Sequence, residues 1–77
     1  MAFSKDIADE LDVLALFNED TTQEGLKIHS TAQDHVIAAA QRLHDKGLIT
    51  QADGGYLTDL GRKASGHAHD LLSILQA

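Results

Sequence analysis

The chain has 77 residues, enough for one domain, and no cysteine, so neither a disulfide nor a thiolate can serve it. An apolar fraction of 43% and a charged fraction of 23% exclude wholesale disorder. No apolar run reaches the roughly 18 residues of a membrane span, and no basic region leads into an apolar stretch as in a signal peptide. The net charge of −6 counts against nucleic acid as partner, and it resides in residues 1–24, where Lys5 alone faces seven acids. A non-catalytic, cytoplasmic, single-domain protein over residues 1–77 is the expectation.

Residues 4–18 read as a first helix. Ser4 is a good N-cap, and Asp6 suits the positive end of the helix dipole. Ile7, Leu11, Leu14 and Phe17 recur at helical spacing, with Asp9 and Asp12 opposite. Val13 and Leu16 widen the apolar surface beyond one face. Asn18–Thr22 is a polar break. Leu26 and Ile28 alternate with polar neighbours over Gly25–His29, which favours a short strand. A short helix over Thr22–His29 competes with it.

Thr31 has the character of an N-cap, and a second helix follows to about Lys46. Val36, Ala40 and Leu43 form its expected buried stripe, with Ile37 beside them. The alanines at 38–40 allow a neighbouring helix to approach closely. Gly47 supplies the stop. Leu48-Ile49-Thr50, the turn around Asp53-Gly54-Gly55, and Tyr56-Leu57 read as a hairpin. Thr58 caps a last helix to about Gln76, with Leu60, Ala64, Ala68, Leu71 and Leu75 on its expected core stripe.

The middle of the chain carries Leu43-His44-Asp45-Lys46-Gly47-Leu48-Ile49 and then Leu57-Thr58-Asp59-Leu60-Gly61. This resembles the winged helix-turn-helix superfamily. There a recognition helix ends in Leu-x-x-x-Gly-Leu-Ile, a hairpin wing follows, and Leu-Thr-x-x-Gly opens the final helix. The chain also resembles a small bacterial family whose members are often labelled DNA-binding, through Leu14-Ala15-Leu16-Phe17, Thr21-Thr22-Gln23-Glu24-Gly25 and Gly54-Gly55-Tyr56-Leu57-Thr58. These resemblances imply a small α+β winged-helix-like fold: helix, short strand, helix, hairpin wing, C-terminal helix. They also imply double-stranded DNA as ligand, in the manner of a transcriptional regulator.

On that reading the recognition helix would present His35, Ala39, Arg42 and Lys46 outward, with Gln41 alongside. Gln41 and Arg42 have the chemistry to read base edges, and Lys46, Arg62 and Lys63 to meet phosphates. The wing tip offers Asp53 and two glycines but no cation for a minor groove. The alternative is a protein-interaction module, most simply a homodimer, through Val13, Leu16, Leu72 and Ile74. A third reading has the acidic first helix dock a basic partner. No cofactor, metal or small-molecule substrate is indicated. His67 and Asp70 share a helix face, but His69 points elsewhere, and the serines have no triad partners nearby.

Overall fold

The structure is a computed structural model, and it describes residues 4–17 and 25–77. The polar break at Asn18–Thr22, the acids Glu19, Asp20 and Glu24, and the start of the competing helix over Thr22–His29 lie outside the described residues. In chain order the elements are α1 (Lys5–Ala15), β1 (Leu26–Lys27), α2 (Asp34–Asp45), β2 (Ile49–Gln51), β3 (Gly54–Leu57) and α3 (Asp59–Leu75). The strands form one antiparallel sheet in the order β1-β3-β2. Three helices with a small sheet and a β2–β3 hairpin give the winged-helix-like α+β layout. Among the described residues no helix is long and apolar enough to cross a membrane.

Local chemistry sets most boundaries. The Ser4 hydroxyl accepts from the Ile7 amide at 3.2 Å and caps α1. Gly47 adopts φ +82°, a left-handed conformation that ends α2 without a Cβ clash. The Leu48 amide then returns to the Leu43 carbonyl and the Gly47 amide to that of His44, both at 3.0 Å. Thr58 accepts from the Gly61 amide at 3.0 Å and donates to the Gly47 carbonyl at 2.6 Å, so one hydroxyl joins the end of α2 to the start of α3. Leu26 and Lys27 settle the strand reading, pairing with Gly55 and Gly54.

Thr31 is not the cap of α2. The Ala32 amide closes a turn onto the His29 carbonyl at 2.9 Å, so Thr31 sits within that turn. The ladder starts at the Gln33 carbonyl, which receives Val36 and Ile37, and Gln33 makes no side-chain cap.

The core is built by Val13, Leu14 and Phe17 of the α1 segment, Ile28, Ala39, Ala40 and Leu43 of α2, and Ile49 of β2. Leu14, Phe17 and Ala68 of the expected stripes are buried, but other members are not. On α1 the buried side includes Asp9 and Glu10, while Ile7 is exposed. On α3 the buried residues are Gly61, Ser65 and Ala68, whereas Leu60, Leu71 and Leu75 are exposed. Small residues win because α3 runs close to its neighbours. A Cβ on Gly61 would overlap the Leu48 carbonyl. The Ser65 hydroxyl lies fully buried, 3.5 Å from the Leu14 carbonyl to which it donates.

Candidate interaction surfaces

The expected recognition face of α2 is turned toward α1. Ala39 is fully buried, and Arg42 and Lys46 both reach back to Glu10. Arg42 Nε donates to Glu10 Oε2 at 3.0 Å, its Nη2 donates to the Asp6 carbonyl at 3.3 Å, and Lys46 Nζ donates to Glu10 Oε1. Each carboxylate oxygen of Glu10 thus takes its own cation. Burial alone would raise the Glu10 carboxyl, but hydrogen bonds from Lys46 and Arg42, with their charges, outweigh it and hold the group below its usual range. The same hydrogen bond from Arg42 raises the guanidinium further above its ordinary value.

What α2 presents to solvent is therefore another stripe: Asp34, Ile37, Ala38, Gln41, His44 and Asp45. It holds no Lys or Arg. Gln41 donates to Asp45 at 3.1 Å, and His35 is exposed at the start of the helix. At the hairpin, Lys27 pairs with Asp53, and that hydrogen bond holds the Asp53 carboxyl below its usual value. On α3, Arg62 pairs with Asp59 and donates to the Leu57 carbonyl at 3.2 Å. Lys63 is exposed without an ion pair among the described residues. The six residues expected to contact DNA are thus spread over two helices, and three of their four cations are held by carboxylates.

The expected dimer residues also separate. Val13 is 1% exposed and belongs to the core; it is corrected from surface to interior, because α1 packs against α2 and α3. Leu16 is exposed and lines an open apolar groove of about 280 Å³ with Leu26, Ile28, Ala32 and Val36. Leu72 is half-buried and lines a different groove, with Ala15 and His69. Here His69 Nε2 donates to the Phe17 carbonyl at 3.1 Å, which ties α3 to the end of the α1 segment. Ile74 stands 72% exposed. A further groove of about 530 Å³ runs between the β1 end and α2, lined by Ile28, His29, Ser30, Ile37 and Gln41.

The feature that the apolar spacing hid is the outer face of α3. Leu60, Leu71, Ile74 and Leu75 stand 44–72% exposed there, and His67 lies between them. Leu71, Ile74 and Leu75 are neighbours on the last turns of the helix, and Leu60 stands at its start. The available signal was the series Gly61, Ser65, Ala68: small residues mark the face that packs, and the leucines flank it.

The chain belongs to DUF5669, a family of unknown function, whose family model matches residues 1–76. No curated protein and no solved structure matches it.

Proposed function

We propose that this DUF5669 member is a non-catalytic protein-interaction module with a winged-helix-like fold, and that it docks through the outer face of α3. The observation that carries this reading is the exposure of Leu60, Leu71, Ile74 and Leu75 along one side of that helix. Leaving such a patch in water forgoes the gain from burying it, about 25 cal/mol per Å² of apolar area. Protein docking recovers that gain, whereas phosphate binding would not use it.

The electrostatics support the same choice. A DNA reader draws its affinity from cations free to meet phosphates. In this chain Arg42 and Lys46 are engaged by Glu10, Arg62 by Asp59, and Lys27 by Asp53. Releasing a cation from Glu10 would leave a buried carboxylate short of a partner, a cost that DNA would have to repay. The solvent face of α2 offers a major groove Asp34 and Asp45 instead.

Titration of isotope-labelled protein with a mixed-sequence duplex at low salt tests this reading. Backbone amide shifts over residues 33–46 and 51–55 are expected to stay unchanged. Shifts concentrated there and reversed by added salt would establish a DNA-binding module and overturn the proposal.

A further inference from the structure

Among the aspartates of the chain only Asp53 is followed by glycine, and the single asparagine, Asn18, is followed by Glu19. An aspartyl carboxyl group can be attacked by the backbone nitrogen of the next residue. A side chain on that residue obstructs the attack, so Asp-Gly is the pair at which this chemistry runs fastest. The fold requires the glycine. Gly54 adopts φ +121°, and a Cβ there would overlap the Leu26 carbonyl oxygen. The close approach of β1 to β3 thus obliges the hairpin to carry the vulnerable pair.

The same hairpin holds both reacting groups. Lys27 Nζ donates to Asp53 Oδ2, and the Ile28 amide donates to the Asp53 carbonyl at 2.7 Å. Gly54 is buried and pairs with Lys27 on one side and Gln51 on the other. The Asp53 side chain remains 42% exposed, so water reaches it. The electrophile in this reaction is the neutral carboxyl, which can lose its hydroxyl as water; the carboxylate cannot. The Lys27 ammonium favours the carboxylate and holds the Asp53 carboxyl below its usual value. We propose that Asp53-Gly54 is a site of isoaspartate formation, and that Lys27 restrains it by binding the Asp53 carboxylate while β1 is paired with β3.

The reaction needs no co-reactant but water. The Gly54 nitrogen bonds to the Asp53 side-chain carbonyl carbon, and the carboxyl hydroxyl leaves as water with the proton of that nitrogen. Water then adds to one carbonyl of the cyclic imide and a C–N bond breaks. Breaking the bond to the side-chain carbon restores aspartate. Breaking the bond to the main-chain carbon leaves isoaspartate, with nothing oxidised or reduced and the composition unchanged. The main chain then runs through the former side chain and is longer by one methylene group. The carbonyl that received the Ile28 amide becomes a pendant carboxylate, so that bond and the Lys27–Gly54 register cannot both persist. Among the described residues β1 is two residues long and pairs with β3 alone, so no second strand resists its release. This chemistry is independent of how α3 is used.

Ageing of the full chain at neutral pH and physiological temperature tests the proposal. Peptides are mapped with an aspartate-directed protease that does not cleave at isoaspartate. Heavy-oxygen water marks the route, because each hydrolysis of the imide leaves one heavy oxygen in the product. The folded wild type is compared with Lys27→Met, with Lys27→Arg and with the wild type held unfolded in urea. The unfolded chain is expected to form isoaspartate at Asp53 ahead of every other aspartate, and the folded wild type to do so several-fold more slowly. Lys27→Met is expected to be several-fold faster than the folded wild type, and Lys27→Arg to stay close to it because the cation is kept. Amide exchange at Ile28 separates charge from strand pairing. It is expected to be alike in the wild type and Lys27→Met, since the ammonium makes none of the backbone bonds. Absence of isoaspartate at Asp53 in the unfolded chain overturns the site. A folded wild type as fast as the unfolded chain, or Lys27→Met no faster than the wild type, overturns the restraint. A faster site in Lys27→Met with equally faster exchange at Ile28 also overturns it, because the strand and not the ion pair would then be the cause.

Discussion

Glu10 decides what α2 can do. Its side chain is 7% exposed, yet it remains charged because Arg42 and Lys46 each donate to one of its oxygens. Glu10→Gln keeps the shape but removes the charge, leaving two cations on a neutral amide. Loss of about 1–3 kcal/mol in chemical denaturation at neutral pH is expected, as for a buried hydrogen-bonded charge whose partners are partly solvated. The pH dependence has a defined sign. The folded carboxyl lies below the ordinary value of 4.5, so the unfolded chain takes up the proton first as pH falls. The stabilisation is therefore complete above about pH 4.5 and is lost as acid titrates through the lower folded value. Glu10→Gln should remove that part of the acid limb. If the acid limb of the wild type and the variant coincide, Glu10 does not hold α2. None of this was legible in the sequence, where Glu10 and Arg42 stand 32 residues apart among ordinary surface charges. Side-chain charge is local information; its partner is set by tertiary packing.

Elements were far more legible than faces. Ser4, Gly47 and Thr58 act through their own side chain or backbone conformation, so the boundaries they set could be read locally. The Asp53-Gly54-Gly55 hairpin was readable for the same reason. The start of α2 was not, because Thr31 is taken up by the turn over residues 29–32. The stripes hold in part: Leu14, Phe17 and Ala68 are buried as the spacing predicts, whereas Ile7, Leu60, Leu71 and Leu75 are exposed because close approach selects for small size as well as hydrophobicity. On α3 the deciding quantity is distance of approach. Gly61 sits against the Leu48 carbonyl, which is backbone and cannot swing aside. Gly61→Ala raises helix propensity, which would favour stability by up to about 1 kcal/mol in an open helix. Here overpacking should win, with a net loss of roughly 1–3 kcal/mol in urea denaturation. A stabilised Gly61→Ala variant would mean that α3 does not pack by this face, and the exposure of its leucines would lose its explanation.

At the scale of the whole molecule, the order of elements agrees with the winged-helix-like layout, but the layout does not fix the use. Lys27 pairs with Asp53 at the hairpin tip, the cations of the α2 segment are engaged by Glu10, and α3 leaves Leu60, Leu71 and Leu75 exposed. Each choice removes a feature that a DNA reader needs or adds one that a docking protein uses. The acidic total, which counts against phosphate binding, supports the proposed reading. Two apolar surfaces are distinguishable: the exposed leucines and isoleucine of α3, and the groove containing Leu16, Leu26 and Val36. The most direct measurement is the effect of a soluble paramagnetic probe on isotope-labelled leucine and isoleucine methyl groups. The account predicts strong relaxation at Leu60, Leu71, Ile74 and Leu75, with Leu14, Leu43 and Ile49 protected. Protection of the α3 methyls to the level of Leu43 would contradict it.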